Sequence, residues 1–147
     1  MRRSNLNLSE EELNEYMQII AKYFSLKWLN KNNSHPIQIL WNRTDELATY
    51  ELYALAYSIK TLIKIDPHWV KSQIKQAKSN NLNNSRGAIF EILTLNILNN
   101  IDNPVKPAKV NQAGYDGILT DSNRKNLRVS IKSYGSSKSQ QNFERKL

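Results

Sequence analysis

Residues 114–132 read Gly-Tyr-Asp-Gly-Ile-Leu-Thr-Asp-Ser-Asn-Arg-Lys-Asn-Leu-Arg-Val-Ser-Ile-Lys, and this run decides the fold. Leu127, Val129 and Ile131 alternate with Arg128, Ser130 and Lys132, the two-residue period of a strand. Such a strand turns Ser130 and Lys132 to one polar face and Ile131 into a core. Upstream, Tyr115 to Thr120 is a second extended segment that carries Asp116, Ile118 and Thr120 on one face, and Asp121 to Lys125 is a hairpin loop between the two. Pairing Thr120 with Asn126 sets Asp116 opposite Ser130. Lys132 is then the diagonal neighbour of Asp116, roughly 7 to 8 Å away between backbones and within reach of a long side chain. A carboxylate, a hydroxyl and an ammonium converge.

Moving towards the N-terminus, the turn-rich stretch Asn99 to Pro107 is preceded by a short apolar helix, Gly87 to Leu98. Within Ala88-Ile89-Phe90-Glu91-Ile92-Leu93 the one charged residue is Glu91. Burying an unpaired carboxylate is costly, so Glu91 needs a cation. A divalent metal shared with Asp116 would supply it, because hard oxygen ligands suit magnesium; an arginine partner would serve equally well. Asn-rich Ser79 to Ser85 is the best candidate boundary in the chain, since Asn and Ser favour turns and caps over helix interiors.

A helix with Arg86-Gly87 four residues before Glu91, then Gly114-Tyr115-Asp116-Gly117, then Val129-Ser130-Ile131-Lys132, resembles the PD-(D/E)XK nuclease superfamily, the restriction-endonuclease-like fold. The resemblance covers residues 86–134. It implies that Glu91 and Asp116 ligate Mg2+, with Mn2+ as a substitute, that the main-chain carbonyl of Ile131 completes the metal site, and that Lys132 positions or activates the attacking water. Ser130 holds the place usually filled by Glu, Asp or Gln. It brings no charge, which points to one-metal rather than two-metal catalysis. Tyr115 stands where the proline of the family name is expected. The chain also ends soon after the lysine, where the family continues into a helix and another strand. Either Leu147 closes a minimal core, or a partner, such as a second copy, or missing sequence completes it.

Before the Asn-rich stretch the pattern is helical throughout. Ser9 followed by Glu10, Glu11 and Glu12 is a capping box, and Leu13, Tyr16, Met17, Ile20 and Phe24 recur at helical spacing up to about Trp28. Asn32 to Pro36 breaks the pattern. Thr44 is the next expected N-cap, opening a helix with Leu52, Leu55, Ile59, Leu62 and Ile63 on one side. Asp66-Pro67 stops that helix and starts a third, running to about Ser79. A last polar segment, Ser136 to Leu147, reads as helix. The expected architecture is α+β: a helical lobe over residues 1–80, then a restriction-endonuclease-like core over residues 81–147 with a small mixed, mainly antiparallel sheet.

The balance of 21 Lys+Arg against 13 Asp+Glu gives a charge of +8, which favours a polyanionic partner without naming it. With no cysteine, neither disulfides nor a thiolate zinc site hold this fold, which fits a reducing cytoplasm. No run approaches the roughly 20 apolar residues of a membrane span, and Met1 to Ser9 lacks a signal-peptide core, so no membrane partner is expected.

Each signal also has an ordinary reading. Asp116-Gly117 alone is a common tight-turn dipeptide. A lone glutamate on a helix is more often exposed, and Ser-Ile-Lys carries little by itself. Lys71, Lys75 and Lys78 form a stripe that could meet phosphates, although a solvated face is the commoner use; Arg86 near the Glu91 helix and Arg124, Lys125 and Arg128 around the hairpin are further candidates for phosphate contact. Tyr50, Tyr53 and Tyr57 form a stripe better suited to helix packing than to stacking on bases. His35 and His68 stand beside prolines with no partner at metal-ligand spacing, and neither is assigned a role.

The expected function is therefore Mg2+-dependent hydrolysis of phosphodiester bonds, an endodeoxyribonuclease with DNA as substrate. The alternatives are a nuclease-like module, inactive or truncated, that binds nucleic acid or protein without cutting, and a helical interaction protein with a merely structural C-terminal segment.

Overall fold

A computed structural model describes residues 3–31, 34–100, 105–110, 114–120 and 125–132. The expected helix over Ser136–Leu147 and most of the hairpin loop, Arg124 included, lie outside the described residues. The chain is α+β, mainly helical, with one small three-stranded sheet that is antiparallel throughout rather than mixed.

Helix α1, Glu10–Phe24, starts where the sequence places it: the Ser9 hydroxyl accepts from the Glu12 amide at 3.1 Å. Tyr16, Ile20 and Phe24 are its buried face. The helix does not run on to Trp28. Ser25 takes a φ of +73°, a left-handed conformation, and restarts the chain as the short α2, Leu26–Leu29.

The break expected at Asn32–Pro36 gives way at once to a third helix, α3, Pro36–Asn42. Proline sits here at the first helical position, where its missing N–H costs nothing. His35 is the N-cap. Its Nδ1 accepts from the Ile37 amide at 3.1 Å, while the Gln38 side chain accepts from the His35 amide at 3.1 Å.

Helix α4, Glu46–Leu62, is capped by Asp45 rather than Thr44 and buries Leu52, Leu55, Ile59 and Leu62 as its spacing predicts. Tyr53 meets Tyr16 of α1 edge to face at 4.6 Å and stacks on Tyr57, so Tyr53 is the ring of the tyrosine stripe that packs between helices; Tyr57 and Tyr50 are exposed. Helix α5, Pro67–Ala77, begins at the predicted Asp66-Pro67, with the Asp66 carboxylate accepting from the Trp69 amide at 3.0 Å.

The asparagine-rich stretch caps a helix. The Asn81 side chain accepts from the amides of Asn83 and Asn84, and α6 runs over Leu82–Asn99, five residues ahead of the expected start at Gly87. The buried Ser85 hydroxyl donates to the Ala77 carbonyl and ties the start of α6 to the end of α5. Helix α6 packs on both α5 and α4 and supplies Ala88, Ile92 and Leu95 to the core.

Strands β1 (Val105–Pro107), β2 (Gly117–Thr120) and β3 (Asn126–Val129) follow in spatial order. β1 falls inside the stretch read as turns. The β2–β3 register is the one read from the sequence, Thr120 opposite Asn126 and Gly117 opposite Val129. Val105 is buried, and β1 rests on α6. Gly117 lies so close to that packing that a Cβ there would meet Val105 Cγ1 at 2.6 Å and Leu95 Cδ2 at 3.2 Å. Close approach of sheet to helix is what glycine permits at this position. One continuous apolar core reaches from Tyr16 on α1 to Ile131 after β3. Among the described residues no helix is long and apolar enough to cross a membrane.

Candidate active site

The ladder between β2 and β3 changes step at its inner end. Gly117 pairs with Val129, yet the amide of Asp116 also donates to the Val129 carbonyl, at 2.7 Å, so Asp116 sits one residue out of register instead of squarely opposite Ser130. On its other side Asp116 stays in step, its carbonyl accepting from the Ala108 amide at 3.0 Å. The Asp116 carboxylate is held from behind: Oδ2 accepts from the Ile131 amide at 2.7 Å. Ile131 is itself anchored in the core.

Glu91 comes to this point from α6. It is half-buried, and its carboxyl is a hydrogen-bonding neighbour of the Asp116 carboxyl. Burial and the adjacent Asp116 push the Glu91 carboxyl up to about 7, against pull in the other direction from Gln73 and the Lys132 ammonium. The Glu91 carboxyl therefore keeps its proton to a higher pH than an exposed glutamate does. Gln73, on α5, donates from Nε2 to Glu91 Oε2 at 2.7 Å and fixes that carboxyl.

The residues read from the sequence are brought together in part. Glu91, Asp116, the Ile131 backbone and the charge of Lys132 meet. Ser130 is exposed and turns its hydroxyl to the Gly114 carbonyl at 3.2 Å, where it braces the turn before β2. Gly114 has a φ of +91°, a conformation that favours glycine. Arg128 lies over the Tyr115 ring at 5.0 Å. Lys71, Lys75, Arg86 and Lys125 are exposed, and Lys78 is drawn over the ring of Trp28 at 5.1 Å.

Two participants were missed by sequence reasoning. Gln73 carries no charge and belongs to no motif, and the only available hint was its place on the same α5 face as Trp69. Lys109 borders the site from the segment after β1. The carboxylate pair lines a cleft between α5, α6, residues 108–110 and residues 115–116, with a volume of about 370 Å3.

The donor set suits a hard divalent cation. Two carboxyls from separate elements face one position, and a cation there would favour the charged form of Glu91. Among the described residues no three His, Cys, Asp or Glu side chains gather, so any cation held here keeps waters or main-chain oxygens as its remaining ligands. No family model matches this chain, and neither a curated protein nor a solved structure matches it.

Proposed function

We propose that this chain is a metal-dependent nuclease of the restriction-endonuclease-like type, hydrolysing phosphodiester bonds in DNA. The observation that carries the reading is the meeting of Glu91 from α6 with Asp116 at the start of β2, beside the charge of Lys132. Bound Mg2+ or Mn2+ would lower the pKa of a water and offset charge building on the phosphate.

The protein's own part is positioning. Glu91 and Asp116, with the Ile131 carbonyl, would hold the cation; the Ile131 amide and the Gln73 side chain fix the two carboxyls so that neither rotates away. Lys132 steadies the nucleophile or the developing negative charge. No covalent enzyme intermediate is needed. Ser130, neutral and engaged with Gly114, supports a one-cation scheme. The net charge of +8 would draw the polyanion in without discriminating its sequence.

The same serine favours a second reading, a nuclease-like module that binds nucleic acid without cutting it. Nicking of supercoiled plasmid separates the two. Mg2+ or Mn2+ should support cleavage and a chelator should stop it. Asp116→Ala and Lys132→Ala should each lower the rate by about a hundredfold or more with the fold intact. Equal cleavage by the wild type and both variants would assign the activity elsewhere, and absence of cleavage with retained binding would favour the second reading.

A further inference from the structure

Beyond the carboxylate pair, the cleft has a lining of unusual chemistry. Trp69, Gln73 and Gln76 on α5 face Asn84, Gly87 and Glu91 on α6, one face of each helix at helical spacing. Apart from Glu91, Asp116 and Lys109 the polar side chains of the lining are neutral amides and hydroxyls, which include Ser72 and Asn83. Amide side chains offer a donor and an acceptor side by side, the pattern that pairs with the edge of a base. Tyr115 lines the same cleft and presents a ring.

Gly87 is the second observation. It sits inside α6, where glycine is less favourable than alanine. It has no positive φ to explain it, and a Cβ built there meets nothing within 4 Å. Packing does not require this glycine; what its missing side chain leaves clear is the cleft wall. At about 370 Å3 the cleft is sized for a small ligand and is far too narrow for a double helix.

We propose that the cleft receives one unpaired nucleotide of a DNA strand, its base against the amides of Gln76, Asn83 and Asn84 and its phosphate towards Glu91 and Asp116. This rests on the hydrolytic reading and narrows it: the substrate is a single strand, an overhang or a flipped nucleotide, not an undistorted duplex. Lifting a nucleotide out of the stack brings its phosphate to groups that an intact duplex cannot reach in a recess. Lys109 at the cleft rim supplies positive charge to the strand.

The test is fluorescence anisotropy with the full chain and Ca2+ in place of Mg2+, so that a cation stands between the carboxyls and the phosphate while hydrolysis is suppressed. The probes are a labelled single strand and the blunt duplex of the same sequence. The single strand should bind at least about tenfold more tightly than the duplex, the scale of one stacked base. Gly87→Leu should lose about tenfold in that binding while its thermal midpoint is equal or higher, because leucine is the better helix former. Gln76→Leu, at an exposed position, should lose binding similarly and serves if Gly87→Leu does not fold.

Equal or tighter binding of the blunt duplex would overturn the proposal, as would wild-type affinity in whichever of the two variants folds. A free deoxynucleoside monophosphate that competes as well as the strand would also overturn it, in favour of a mononucleotide site. The two readings fail separately. Metal-dependent plasmid cleavage without single-strand preference defeats the pocket alone, whereas single-strand binding lost in Gly87→Leu without any cleavage defeats hydrolysis alone.

Discussion

Asp116 is held at three points: its amide by Val129, its carbonyl by Ala108 and its carboxylate by the Ile131 amide. A side chain so constrained cannot turn away from Glu91 to relieve repulsion, which helps to keep the Glu91 carboxyl raised to about 7. The next residue sets how closely the sheet approaches α6. Gly117→Ala places a methyl 2.6 Å from Val105 Cγ1 and 3.2 Å from Leu95 Cδ2, and something must shift. The expected loss is about 1–3 kcal/mol in urea unfolding, the usual cost of overpacking a core. Activity should fall further than stability does, because the shift carries Asp116 away from Glu91. In the sequence, Asp116-Gly117 was legible as a carboxylate with a turn residue. The packing reason for that glycine was not, since it depends on β1 and Leu95, which are distant in the chain.

The elements were legible wherever a local signal decides them. Ser9 and Asp66 cap their helices through their own side chains, and alternation with a fixed loop length set the β2–β3 register. Elements decided by tertiary contact were not. β1 is three residues ending in proline and exists because β2 pairs with it. The break at Ser25 has no turn dipeptide to announce it. Asn83 and Asn84, read as part of a boundary, sit in the first turn of α6 under the Asn81 cap. Helix α3 was hidden by a histidine in the capping position, and this has a consequence for pH.

The His35 Nδ1 accepts from Ile37 while Nε2 lies 3.0 Å from the Ser79 carbonyl, so the ring is neutral with its proton on Nε2. Burial holds its pKa below the ordinary 6.5. A histidine depressed in the fold contributes stability that is present above 6.5 and is lost as pH falls through that window, because the unfolded chain binds the proton more readily. Glu91 acts in the opposite sense: raised to about 7, it contributes below its ordinary 4.5 and loses that contribution as pH rises through about 7. The histidine term is therefore read as a difference. Between pH 7.5 and pH 5.5 the wild type should lose more stability than His35→Asn, which keeps a capping acceptor but cannot titrate. Parallel profiles for the two proteins would show that His35 is protonated freely in the fold.

At the scale of the whole molecule, a basic protein places two carboxyls in a recess, where its own net charge of +8 does not neutralise them. The exposed Lys71 and Lys75 on α5 lie on the same helix that contributes Gln73 to the site. Long-range attraction and local chemistry are thus assigned to different residues. The sequence resemblance named Glu91, Asp116 and Lys132 as one site, but it did not foresee that α5, in the stretch read as a separate helical lobe, would supply a partner to Glu91. That contact follows from α5 packing along α6, which no local pattern encodes.

Whether Glu91 and Asp116 close on one divalent cation is read by calorimetric titration with Mn2+ at pH 7.5, free of any cleavage chemistry. The wild type should take up one ion. Asp116→Asn should bind at least about tenfold more weakly, and Lys132→Ala should still bind, since the lysine acts on the nucleophile and not on the metal. Mn2+ uptake by Asp116→Asn equal to that of the wild type, or no uptake by the wild type, would contradict the account.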